Sequence, residues 1–203
     1  MRIIKDRFEP SIYGVGYLGE GEYRPTINGK KTKQYSTWHS MLQRCYDPKY
    51  HKKRPSYIGC EVCEEWHNFQ VFAAWYDENY YEISGEKMNL DKDILTKNNK
   101  IYSPLTCVFV PQNINTLFVK KDANRGELPI GVSYNKRNKK YKAYCSINGK
   151  NKNLGHYNTS EEAFTAYKTY KEALIVKMAY EYMELIPYEL FAAMLAYEIE
   201  SED

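Results

Sequence analysis

The sequence predicts an α+β fold in two domains, on three observations. Residues 1–118 open with short glycine-punctuated strands and two helices striped with aromatic residues. A strand, loop, strand and helix then follow over Leu90–Phe118. After a charged stretch at 119–127, three alternating strands lead into a long helix with a strong start signal. The first domain is expected over 1–118, a linker over 119–127, and over 128–203 a three-stranded antiparallel sheet packed on a helix, with a helical tail.

In the opening stretch, Gly14, Gly16, Gly19 and Gly21 break the chain. Asn28-Gly29 is a hairpin turn that pairs Tyr23–Ile27 with Thr32–Tyr35. Ser36–Tyr46 places Trp38, Met41, Leu42 and Cys45 at helical spacing, with Ser36 as the N-cap. Pro48 to Pro55 reads as a basic loop. Glu64–Tyr76 is a second helix with Trp66, Phe69, Phe72, Ala73 and either Trp75 or Tyr76 inward. These aromatic stripes read as core rather than as a binding site.

Gly126 and an absence of apolar period mark 119–127 as a linker. Ile130–Tyr134, Tyr141–Ile147 and Lys152–Tyr157 then alternate as three strands, turned at Asn135–Lys139 and at Asn148-Gly149. Ala143, Cys145 and Ile147 point one way; Lys142, Tyr144 and Ser146 point the other. Thr159 and Glu162 form a capping box for a helix running to about Tyr182, with Ala163, Tyr167, Tyr170, Leu174 and Met178 on its stripe. Tyr188–Glu198 is the last helix.

No run of 18 apolar residues exists, so no membrane span is expected, and the first residues lack a signal-peptide core. Five cysteines, an odd number, suit reduced thiols and a cytoplasmic location. Net charge is only +3, but it is unevenly placed. Residues 119–158 hold ten basic and two acidic residues, net +8, whereas 159–203 hold three against ten, net −7. A basic block of this density attracts polyanions. Cys60-Glu-Val-Cys63 has the spacing of a zinc knuckle, which needs two further ligands. Cys45, Cys107, His39, His51 and His67 could supply them, but no second knuckle exists, so zinc is not expected and packed thiols are the preferred reading.

Tyr35-Ser-Thr-Trp-His-Ser-Met-Leu-Gln-Arg-Cys-Tyr, Val62-Cys-Glu-Glu-Trp, Leu90-Asp-Lys-Asp-Ile and Tyr102-Ser-Pro-Leu-Thr-Cys-Val-Phe-Val-Pro-Gln-Asn occur in that order. This series resembles the HNH-endonuclease-like proteins of phages and prophages, over roughly 12–118. The resemblance implies a ββα-metal fold with Asp91 and Asn113 holding Mg²⁺ or Mn²⁺ and a general base at position 92. The family has histidine there; this chain has Lys92. A lysine at its ordinary pKa of about 10.4 is protonated and accepts no proton from water at neutral pH. It becomes a base only when strongly desolvated or set beside another cation. Loss of the base costs on the order of 10²–10⁴-fold in rate.

Ile130-Gly-Val, Tyr141-Lys-Ala, Leu154-Gly-His-Tyr-Asn-Thr-Ser-Glu-Glu-Ala and Ala166-Tyr resemble the ethylene-response-factor (Apetala-type) DNA-binding domain. That resemblance implies a sheet laid into the major groove of double-stranded DNA. Lys136, Arg137, Lys140, Lys142, Tyr144 and Lys152 are then the contact residues, with Arg137 the guanine reader. Three functions stay open: a metal-dependent endonuclease of the homing or free-standing phage kind, a catalytically silent DNA-binding regulator, and a phage protein that inhibits a host defence system by protein–protein contact.

Overall fold

The computed structural model describes residues 6–119, 128–147 and 149–202. It is an α+β protein that divides into two compact units. One runs to Ser84 and includes Leu90–Phe109; the other comprises Gly85–Asn89 and the chain from Val110 onward. Except for Val119, the expected linker at 119–127 lies outside the described residues.

The first unit opens with a hairpin, β1 (Thr26–Ile27) against β2 (Lys30–Lys31). Asn28 and Gly29 both have positive φ, as a two-residue turn of this hand requires. Helix α1 spans Lys33–Tyr46, earlier than the sequence suggests. Thr32, not Ser36, is the N-cap: its hydroxyl accepts from the Tyr35 N–H. The Pro48–Pro55 stretch is not all loop, because Asp47 caps and Pro48 starts a short helix, α2 (Pro48–Lys53). A 3-10 turn at Pro55–Tyr57 leads to β3 (Glu61–Val62).

The expected second helix is split. Glu64–His67 is a 3-10 turn, and Asn68 caps α3 (Phe69–Asn79) by accepting from the Gln70 N–H. Trp38, Met41, Leu42, Trp66, Phe69 and Phe72 are fully buried and form the core of this unit. The Trp38 indole N–H donates to the Trp66 carbonyl at 2.7 Å, which fixes α1 to the turn before α3. Next come β4 (Met88–Asp91), β5 (Ile101–Tyr102), β6 (Val108–Pro111) and α4 (Gln112–Phe118). Strand β3 pairs with β5 in parallel, and β4 pairs with β6.

In the second unit, β7 (Val132–Asn135), β8 (Lys140–Ile147) and β9 (Lys150–Tyr157) form an antiparallel sheet in sequence order. Of the turn residues expected between β8 and β9, Asn148 lies outside the described residues, as does the Ile147 side chain. Helix α5 (Ser160–Tyr182) begins with the expected capping box: the Thr159 hydroxyl accepts from the Glu162 N–H, and the Glu162 carboxylate accepts in return. Its buried stripe is Ala163, Tyr167, Lys171, Ile175 and Ala179, a strict four-residue repeat. Tyr170, Leu174 and Met178, expected on that stripe, are half-buried beside it. Gly131 lets the sheet approach this helix, since a Cβ there would lie 2.1 Å from the Tyr167 ring. Helix α6 (Tyr188–Leu195) buries Leu190 and Met194.

Candidate functional site

Strand alternation gives the three-stranded sheet two unlike faces. Val132, opposite Ala143, is buried on the side of α5 with Ala163, and Tyr141, Leu154, Tyr157, Phe164 and Ala166 pack around them. The other face pairs Asn135 with Lys140, Ser133 with Lys142, Lys142 with His156, Tyr144 with Asn153 and Ser146 with Asn151. It is polar throughout, with two lysines and a row of amides and hydroxyls. Neither Lys140 nor Lys142 has an ion pair among the described residues.

The turn after β7 is built by its own asparagines. The Asn135 side chain accepts from the Arg137 N–H, and the Asn138 side chain accepts from the Lys140 N–H. Lys136 and Arg137 stand exposed at the tip. Five of the six expected contact residues, Lys136, Arg137, Lys140, Lys142 and Tyr144, thus lie on the outer face or at its end.

Lys152 does not. It pairs with the buried Cys145 and lies on the helix side, its Nζ 4.5 Å from the centre of the Tyr170 ring on α5. The cause is a β-bulge: Ala143 pairs with Gly155 but Tyr144 pairs with Asn153, so Leu154 is an extra residue. Plain alternation from Tyr157 puts Lys152 outward; the bulge reverses it. Asn151 and Asn153 are outer-face residues that alternation alone does not reveal, whereas His156, on the near side of the bulge, follows it.

In the first unit, β4 ends at Asp91. The Asp91 carboxylate accepts from the backbone N–H groups of Asp93 (2.9 Å) and Ile94 (2.8 Å), which turns the chain off the strand. Asp93 therefore lies in this turn, beyond the end of the strand. Burial, reinforced by the nearby Asp93 carboxylate, pushes the Asp91 carboxyl up to about 6, against the opposing pull of the two N–H donors.

The Lys92 side chain is buried. Its ammonium donates to Asp93 at 2.9 Å and to the Asn99 carbonyl at 2.8 Å, and it lies over the Tyr102 ring. The Asn99 amide closes the loop by donating to the Lys92 and Ile101 carbonyls. Burial alone lowers the lysine pKa, but the Asp93 hydrogen bond and charge outweigh it, and the net shift is upward. The expected base is thus a locked ammonium, desolvated beside an anion rather than a cation.

Asn113, on α4, belongs to the second unit, whereas Asp91 belongs to the first. Its amide donates to the Glu86 carboxylate and, at 3.3 Å, to the Tyr182 hydroxyl, which itself donates to Glu86 at 2.6 Å. This trio of Glu86, Asn113 and Tyr182 carries no sequence motif.

Of the expected metal ligands, Asp91 has one carboxylate oxygen accepting from two N–H groups, and Asn113 donates its amide nitrogen to Glu86, while the neighbouring Asp93 is paired with Lys92. Among the described residues, no three His, Cys, Asp or Glu side chains converge as a metal site. All five cysteines are free. Burial pushes the Cys45 and Cys107 thiols up to about 12 and that of Cys63 to about 11, so they stay protonated at neutral pH. No helix among the described residues is long and apolar enough to cross a membrane.

No protein-family model, no curated protein and no solved structure matches this chain.

Proposed function

We propose that this protein binds double-stranded DNA through the outer face of the β7–β8–β9 sheet. On this reading it is a relative of the phage HNH-endonuclease-like proteins in which the ββα frame has lost its hydrolytic chemistry. The observation that carries the reading is the exposed polar face, with Lys140 and Lys142 free of counter-ions among the described residues and Arg137 at its tip. A two-stranded ribbon fits the major groove, so the sheet's lysines would meet phosphates while Arg137 and the amides of Asn151 and Asn153 approach base edges. The locked ammonium of Lys92 supports binding over cleavage, because it leaves no group at that position to accept a proton from water.

The test is fluorescence anisotropy with a double-stranded oligonucleotide over a salt series. Wild type is expected to bind with steep salt dependence. Lys140→Ala/Lys142→Ala is expected to bind less tightly, with the slope reduced by about 0.9 for each phosphate that is no longer neutralised. Binding that is absent at low salt, or indifferent to this double substitution, would remove the sheet from the interface.

A further inference from the structure

The first unit carries a basic surface of its own. We propose that helix α2 and the turn after it form a second contact surface for the phosphate backbone of double-stranded DNA, separate from the sheet. This rests on the reading of the protein as DNA-binding but not on the sheet being where it binds.

Lys49, Lys52 and Lys53 stand three and four residues apart on α2 and are all exposed, so they share one face. Tyr50 and His51 face the other way. The Tyr50 ring lies 5.8 Å from that of Tyr57, and the His51 Nε2 lies 2.8 Å from the Arg44 carbonyl oxygen. Arg54 follows the helix and is also exposed. Lys100 is brought to the same surface from a distant loop, where its ammonium donates to the Ser56 carbonyl at 3.2 Å.

None of these five cations has an ion-pair partner among the described residues. Two acids lie near these five cations, so their charge is reduced but not cancelled. Asp47 is engaged as the N-cap of α2, accepting from the Lys49 N–H at 2.8 Å, and Glu61 lies at the border, paired in register with Ile101. Lys49 and Lys53, at i and i+4, repel one another and weaken so short a helix by a few tenths of a kcal/mol. Like charges gathered on one rigid face with no internal partner are the electrostatic footprint of a polyanion. Their Cβ atoms, about 5–6 Å apart, suit the closely spaced charges of a nucleic-acid strand. An anionic membrane is the less favoured occupant, because a membrane-surface helix needs a bulky apolar face, whereas α2 exposes no aliphatic or aromatic side chain except Pro48 and the turn after it adds only Pro55 and Ile58.

The experiment uses the full chain in three forms: wild type, Lys49→Ala/Lys52→Ala/Lys53→Ala/Arg54→Ala, and the sheet variant Lys140→Ala/Lys142→Ala. Each is titrated with a double-stranded oligonucleotide over a salt series and with vesicles containing phosphatidylserine. A charge-keeping form, Lys49→Arg/Lys52→Arg/Lys53→Arg, controls for folding. The α2 variant is expected to lose about tenfold or more in DNA affinity at fixed salt, with a shallower slope, while the arginine form keeps both. The same loss beside an unaffected sheet variant would sink the sheet reading and sustain this one. An α2 variant that binds DNA like wild type would overturn the proposal, whether or not it loses vesicle binding. A wild type that binds no DNA would overturn both.

Discussion

The ammonium of Lys92 lies 2.9 Å from the carboxylate of Asp93, its neighbour in the chain, and this pair is held inside a closed loop by the carbonyl and amide of Asn99. A lysine so placed is a structural cation. It satisfies a carbonyl and a carboxylate, and lies against the Tyr102 ring together with the Arg44 guanidinium, 5.2 Å from the ring centre.

Replacing Lys92 by Met should therefore loosen the loop without touching DNA binding. Two hydrogen bonds disappear, one of them to a half-exposed carboxylate, so the expected cost is about 1–3 kcal/mol. Urea denaturation measures it, with oligonucleotide affinity unchanged as the companion result.

Plasmid incubated with wild type and Mg²⁺ or Mn²⁺ should stay intact, indistinguishable from plasmid incubated with Asp91→Ala or Asn113→Ala. Metal-dependent cleavage that both substitutions abolish would restore the nuclease reading.

Asp91 gives a pH signature with an unusual sign. Its folded pKa of about 6 lies above the ordinary 3.8, so the folded state holds its proton more tightly than the unfolded state does. The stabilisation is complete below about 4 and is lost as pH rises through about 6. In Asp91→Asn, which keeps the acceptor for the two N–H groups, that fall disappears. Denaturant midpoints of the two proteins across this window provide the check, and parallel curves would contradict it.

Lys171 is buried among the residues that α5 turns toward the sheet, with no ion pair among the described residues. Burial lowers its pKa, the nearby Cys145 opposing weakly. Its contribution therefore grows as pH rises toward the ordinary value of 10.5 and is lost as pH falls through the depressed folded value. Lys171→Met should stabilise the protein at neutral pH by about 1 kcal/mol or more and flatten its alkaline rise. A lower melting temperature for the methionine variant would contradict this.

Gly131→Ala should destabilise the sheet–helix packing by about 2 kcal/mol or more. The new methyl would meet the Tyr167 ring, on a backbone with φ +74° that disfavours any side chain. Thermal unfolding reads the loss directly.

What the sequence discloses follows from local rules. The Asn28-Gly29 turn, the Thr159–Glu162 capping box and the alternation through Ala143 and Cys145 are each decided by a few neighbouring residues, and all three appear in the structure. The α1 cap is not legible, because Thr32 and Ser36 are chemically equivalent caps and only the backbone chooses. The buried stripe of α5 is misphased by hydrophobic patterning, which cannot foresee a lysine in a core position. At the candidate site, the outward lysines of β8 are legible, whereas Lys152 is displaced by a bulge that alternation cannot register. The partnership of Lys92 with Asn99, and that of Glu86 with Asn113 and Tyr182, depend on where loops close and leave no periodic trace.

The extra residue in β9 gives that strand slack in length. Losing Leu154 would straighten the strand and leave every neighbour on its present side of the sheet. Strands β7 and β8 pair one for one and have no such reserve: a single deletion there would exchange the faces and carry the lysines toward α5. Descendants of this sequence that vary in length within the sheet should vary in β9, beside the bulge, and keep β7 and β8 at constant length.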